Sequence, residues 1–357
     1  MTFVRSNIAA MEGYSWGEQP QDARTIKLNT NENPYPSSPR VQAALRDFSI
    51  ESLRRYPEPT ARALREALAR LHNLTPEHFL LTNGGDEALR LALTTFVDPG
   101  ATFSMATPSY SLYSVLAQIQ DARLHSIALN ADWSMPADIG RQLKLAQSRL
   151  TCLVNPHAPS GTLTNLPAYG QIAWQQDGVL LVDEAYVNFV DPSRQHDATQ
   201  LVREHDNILL LRSFSKGYGL AGLRLGYLIG DPALIEPIMW KTRDSYNVNH
   251  LSQVLGLAAI EDQEYARSTW ARVREERVRV AAVLENLGLP SSPSESNFIL
   301  VQSNPSRRPA RELYVGLKAR HILVRYFDTP ELGDKLRITI GTADENDALI
   351  TALKQLL

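Results

Sequence analysis

With 357 residues, a hydrophobic share of 43% and a formal net charge of -3, the chain can build a sizeable core and, by length, roughly two domains. Its 36 Lys and Arg nearly balance 39 Asp and Glu, and no long run of one sign marks a nucleic-acid arm or a membrane-binding face. The single cysteine, Cys152, excludes an internal disulfide and sits in an apolar run, which reads as a small buried residue in a reducing compartment.

The opening MTFVRSNIAAMEGYSWGEQP lacks the apolar stretch of a secretion signal. No later segment stays apolar long enough to span a bilayer, so the expected location is the cytoplasm. The stretch to about Lys27 is polar and irregular, and Asn29 to Pro39 (NTNENPYPSSP) is too rich in Pro, Asn and Ser for a regular element. An arm over 1–28, followed by a loop, is expected. ARALREALARLHN, after Thr60, has helical periodicity. Short apolar strands then alternate with amphipathic helices: His78 to Thr82, Thr102 to Ala106, Leu150 to Asn155, Gly178 to Asp183, Asn207 to Arg212 and Leu225 to Ile229. Such alternation predicts an α/β fold, a mostly parallel sheet with helices on both faces. This large domain is placed at 29–246. Beyond it come a long charged helical region (EYARSTWARVREERVRVAAVLENLG), strands near Asn297 to Val301, Ile322 to Arg325 and Lys335 to Ile340, and a terminal helix. They predict a smaller α+β domain over 247–357.

In open α/β sheets, ligands gather at the carboxyl ends of strands. One apolar strand ends at Asp183, Glu184, Ala185 and Tyr186, and a later one at Arg212, Ser213, Phe214, Ser215 and Lys216. Singly these are ordinary: an Asp after a strand is a common helix cap, and a Lys is usually a solvated charge. Gly84, Gly85, Asp86 and Glu87 open a helical run after another strand, where free N–H groups could cradle an anion, although acidic residues in a first turn need no ligand.

The segment SFSKGYGLAGLRLGY around Lys216, with NENP (Asn31 to Pro34), RYPEP (Arg55 to Pro59), GGDE (Gly84 to Glu87), NPHAPSG (Asn155 to Gly161), DEAY (Asp183 to Tyr186) and LRITIG (Leu336 to Gly341), resembles the fold-type I pyridoxal-phosphate-dependent aminotransferases in the required order over nearly the whole chain. NENPYP, GGDE, DEAYVNF, VRYF and LRITIGT are most similar to the histidinol-phosphate aminotransferase branch, although Pro36 and Ser37 stand where that branch more often has Gly and Pro. The resemblance implies pyridoxal 5'-phosphate as cofactor, with Lys216 as the amine that holds it and then carries protons, and Asp183 paired with the ring nitrogen and ionised at neutral pH. It gives Asn155 and Tyr186 as partners of the ring oxygen. The backbone of Gly85, Asp86 and Glu87, together with Ser213, Ser215 and Arg224, becomes the phosphate site, and Tyr110 the aromatic over the ring. For Tyr110 and Tyr186, plain core packing is the competing reading. Arg337 is implied as the grip on the substrate carboxylate, with Arg325 either a second anion ligand or a surface ion pair. Asn33 and Tyr14 are further implied substrate contacts. Tyr56 is implied to reach the cofactor phosphate of a partner subunit, making a homodimer with shared sites, and Tyr14 and Tyr246 are also candidates to cross that interface.

The implied reaction is amino transfer between L-histidinol phosphate and 2-oxoglutarate in histidine biosynthesis. Threonine-phosphate decarboxylation, which shares the motif set, and aromatic amino acid transamination, which would use the same pocket without the phosphate, remain open. A non-catalytic regulator built on this fold is disfavoured by the presence of Lys216 and by the short segment ahead of NENP. No metal is expected.

Overall fold

Runs of Leu, Val and Ile between polar turns become the strands of one large sheet and two small ones. The computed structural model describes residues 3–20, 22 and 24–357. Its strands, in chain order, are β1 (Ile26–Lys27), β2 (Phe79–Thr82), β3 (Thr102–Thr107), β4 (Arg123–Ala128), β5 (Ser148–Val154), β6 (Val179–Asp183), β7 (Ile208–Ser213), β8 (Gly226–Gly230), β9 (Phe298–Gln302), β10 (Ile322–Leu323), β11 (Arg325–Tyr326) and β12 (Lys335–Thr339). The large sheet has seven strands in the order β2-β8-β7-β6-β5-β3-β4. β8 runs antiparallel to both its neighbours, and every other pair is parallel. The α/β architecture expected from the alternation is therefore present.

The central strands β6 (VLLVD) and β7 (ILLLRS) are buried along their length except at Arg212, as strands covered on both faces should be. Apolar clusters on the two sides of the sheet complete the core, with Cys152 buried in one of them. Because β5, β6 and β7 are parallel, Asn155, Asp183 and the turn after Ser213 emerge at one edge. The sheet thus gathers residues that are 61 positions apart in sequence, Asn155 to Lys216.

Two features depart from the sequence reading. β4 was not foreseen, because at the sheet's edge only Ile127 of ARLHSIA is buried and the apolar pattern is faint. The segment read as one strand over Ile322 to Arg325 divides at Val324: β10 pairs in parallel with β1, whereas β11 joins the sheet β11-β12-β9. The stretch read as irregular up to about Lys27 therefore contains a strand. The long helix Gln263–Asn286 follows the charged helical region and buries Arg277, which donates to Ser296 O at 2.7 Å and to Phe189 O at 3.1 Å. A capping box of Thr342 and Glu345 starts the terminal helix Ala343–Leu356.

Candidate active site

Lys216 lies in the short helix Phe214–Gly217 that follows β7, and Ser213 caps this helix by accepting from the Ser215 amide at 3.0 Å. The lysine is half-buried and its Nζ donates to Thr30 O at 2.7 Å. Burial, reinforced by Arg337, Lys27 and Arg224 and opposed by Glu32, pulls its pKa down to about 8. A lysine in that range can exchange protons near neutral pH.

Asp183 ends β6 at 6% exposure. One oxygen accepts from Tyr113 Oη at 2.7 Å and the other from the Ala185 amide at 3.0 Å. Burial pushes its pKa up to about 6, with Asp86 and Glu184 adding and the two hydrogen bonds opposing. No side-chain cation forms an ion pair with it among the described residues, so the described chain supplies no counter-charge for its ionised form. Tyr113 escaped the sequence reading. Its position three residues after Tyr110, at the start of the helix Leu112–Gln120, is the only signal, and a buried aromatic there looks like packing.

Asn155 follows β5 and is clamped to Thr164, accepting from its amide at 2.9 Å and donating to its carbonyl at 3.1 Å. That uses one of its two amide hydrogens. Tyr186, three residues past Asp183, accepts at Oη from Asn31 Nδ2 at 3.0 Å. Burial raises its pKa, while Arg337 and the Asn31 bond oppose the rise.

The GGDE loop turns sharply into the helix Gly85–Phe96, with Gly84 at φ +82°. A Cβ on Gly84 would stand 2.7 Å from Arg224 Nη2, and one on Gly226 would stand 3.0 Å from the backbone of Gly84 and Gly85. Glycines thus let the loop, β8 and a guanidinium crowd together. Arg224 Nη2 meets Asp86 Oδ2 at 3.1 Å, and Tyr110 Oη donates to Asp86 Oδ1 at 3.3 Å. Glu87 instead accepts from the Asn83 amide at 2.6 Å and from Asn247 Nδ2 at 2.8 Å. Tyr110 packs edge-on to both Tyr14 and Tyr113, with centroids 5.7 and 5.6 Å apart.

Arg337 and Arg325 face each other as cross-strand partners of β12 and β11. Like charges directly opposite repel. Arg337 gives Nη2 to Asn29 O at 3.0 Å, yet its buried Nε has no hydrogen-bond partner. Neither arginine forms an ion pair among the described residues, the surface ion pair considered for Arg325 included. Asn33 donates from its side chain to Gly217 O at 3.1 Å and accepts from the Tyr35 amide at 3.0 Å, which uses one of its two amide hydrogens. Tyr56 stands apart, 80% exposed and stacked on Tyr246 with centroids 4.5 Å apart.

The donor set fits the cofactor that the resemblance implies. A buried carboxylate without a counter-cation suits a protonated ring nitrogen, a lysine whose pKa is drawn down to about 8 suits a carbonyl, and a glycine turn backed by Arg224 and Ser213 suits a phosphate. Comparison with known proteins agrees. The chain is 40% identical over 356 residues to histidinol-phosphate aminotransferase 1 of Nostoc sp. (strain PCC 7120), covering 99% of this chain and 98% of that one. It is 40% identical over 357 residues to the histidinol-phosphate aminotransferase of Geotalea daltonii, covering 100% of each. The fold matches the solved histidinol-phosphate aminotransferase from Sinorhizobium meliloti in complex with pyridoxal-5'-phosphate, with a TM-score of 0.88 at 22% identity over 100% of this chain and 99% of that one. Residues 23–353 match the family described as aminotransferase class I and II, and with that match and its full-length relatives the chain belongs to this family.

Proposed function

We propose that this enzyme transfers the amino group of L-histidinol phosphate to 2-oxoglutarate, giving imidazole acetol phosphate and L-glutamate, with pyridoxal 5'-phosphate held at Lys216. The observation that carries the substrate reading is the facing pair Arg325 and Arg337, two guanidinium groups without a carboxylate between them. A phosphate dianion balances such a pair better than one carboxylate does, and glutamate can use the same place.

Bound pyridoxal phosphate supplies an electron sink for the charge left when the substrate carbon loses its proton. The chain's own residues do the rest. Lys216 Nζ, once displaced by the substrate amine, would carry that proton between the substrate carbon and the cofactor carbon. Asp183 holds the ring nitrogen's proton, and Tyr113 keeps the carboxylate oriented. Asn155 and Tyr186 serve the ring oxygen, while Gly85, Asp86 and Glu87 through their amides, with Ser213, Ser215 and Arg224, hold the phosphate. Tyr110 covers the ring, and Tyr14, edge-on to it, closes the substrate side.

The proposal extends to assembly. The exposed stack of Tyr56 on Tyr246, with exposed Ile50 and Leu53 shortly before Tyr56 in sequence, supports a homodimer in which Tyr56 reaches the neighbouring phosphate. We divide the chain into an arm (1–28), a large domain (29–246) and a small domain (247–357), with β2 to β8 in the large domain and β9 to β12 in the small one.

The test is to titrate the pyridoxal-phosphate-loaded protein with L-histidinol phosphate, without a keto acid, while following its visible absorbance. Loss of the absorbance and its return on adding 2-oxoglutarate are expected, and Lys216→Ala should abolish turnover. Arg325→Ala should weaken histidinol phosphate more than glutamate, by about tenfold for one charge-assisted contact. Equal losses for both would remove the phosphate role. A loaded protein that ignores histidinol phosphate redirects the substrate to threonine phosphate or aromatic amino acids.

A further inference from the structure

The loop from Asn29 to Asn33 joins parts of the site that no single strand carries. Thr30 receives Lys216 Nζ and Asn33 holds Gly217 O, one on each side of Asn31. Asn31 itself is 1% exposed and adopts φ +57°, a left-handed conformation that asparagine tolerates better than most residues with a Cβ. Its amide N–H donates to Thr339 Oγ1 at 3.0 Å, and the Thr339 hydroxyl donates back to Asn31 Oδ1 at 3.0 Å. Asn297 Nδ2 holds the Asn31 carbonyl at 2.9 Å.

The direction of these bonds has a chemical consequence. A hydroxyl carries one proton, and that of Thr339 goes to Asn31 Oδ1, which turns the amide nitrogen towards Tyr186. An amide nitrogen only donates. The Tyr186 proton therefore cannot be engaged by Asn31 and is left for another acceptor. We infer that Asn31, oriented by Thr339, is a positioning residue that fixes the polarity of the Tyr186 phenol so that its O–H is given to the ring oxygen of the cofactor. This rests on the pyridoxal-phosphate reading above.

Thr339 lies two residues beyond Arg337 on β12, hence on the same face, and Arg337 also holds Asn29 O. The strand that meets the substrate anion and the phenol that meets the cofactor are joined through one side chain. The groups that set the electrostatics of Tyr186 are Arg337, Asp183 and Tyr14, and Phe298 packs edge-on against its ring at 5.0 Å.

The test uses the full-length protein freed of cofactor and titrated with pyridoxal phosphate, with the visible absorbance of the bound cofactor then followed against pH. A donor on the ring oxygen favours its anionic form, so losing that donor raises the pH midpoint. In Asn31→Asp the side chain accepts the Tyr186 proton, and the midpoint should rise by about one unit. Added negative charge would also raise it, so the substitution is repeated with Tyr186→Phe. There a polarity effect disappears and a charge effect persists. Thr339→Val frees the amide to turn and should move the midpoint the same way, while Thr339→Ser restores the parent value. This pair decides the matter should Asn31→Asp fail to fold. Unmoved midpoints in Asn31→Asp and Thr339→Val, or an Asn31→Asp shift undiminished beside Tyr186→Phe, overturn the inference. If the parent protein itself gains no visible absorbance, the cofactor reading fails and the inference falls with it.

Discussion

At Asp183, burial raises the energy of a charge that the chain leaves without a cation. The carboxyl titrates at about 6 in the folded protein against 3.8 as the ordinary value. The unfolded state therefore releases its proton first as pH rises, and this residue destabilises the cofactor-free fold increasingly between those two pH values, with a constant cost above them. Replacing Asp183 with Asn should raise the cofactor-free protein's stability at pH 8, on the order of 1–3 kcal/mol, with little gain near pH 4. The same substitution should weaken cofactor retention. Denaturant melts at the two pH values check the first expectation, and an Asp183→Asn protein no more stable than the parent at pH 8 would contradict it. Lys216, Asp183 and Arg337 were singled out because the motifs that carry the resemblance contain them. Tyr113 was not singled out, and Asn31 only as the first residue of NENP. In the proposed site each would act through another side chain, and its own sequence surroundings look like packing or a turn.

Among the elements, legibility followed burial. β6 and β7 were plain because strands covered on both faces are written as unbroken apolar runs, whereas β4 at the edge buries one residue and leaves no such run. The split between β10 and β11 at Val324 was invisible for a different reason: both halves suit extended backbone, and only the partners distinguish them. The turn into the helix Gly85–Phe96 carries a test of its own. With φ +82° and ψ 172°, Gly84 holds a backbone conformation that is nearly glycine-only, so an alanine costs about 1–3 kcal/mol in strain, and its methyl would also meet Arg224 Nη2 at 2.7 Å. Gly84→Ala should therefore displace the guanidinium and weaken pyridoxal-phosphate binding by about tenfold or more, while other small additions at exposed Gly13, where nothing lies within 4 Å, should not. Equilibrium titration of the cofactor-free variants makes the comparison, and equal affinities would separate the turn from the phosphate.

For the molecule as a whole, the proposed shared site predicts complementation. A dimer formed from one Tyr56→Ala chain and one Lys216→Ala chain contains one site with both residues intact, so mixtures of the two inactive proteins should regain activity, up to about half that of the parent in pure heterodimers. Silence in verified heterodimers would count against a site shared between the subunits. Among the described residues no helix is long and apolar enough to cross a membrane. The pairing of Ile26–Lys27 with Ile322–Leu323 spans almost the full chain, and Asn29 and Asn31 are tied to Arg337 and Thr339. A growing polypeptide can fold its central sheet well before those last partners leave the ribosome. The loop against which Lys216 rests is fastened last, so chemical competence arrives only with nearly the final residues made, and a prematurely terminated chain is left with an unfinished site.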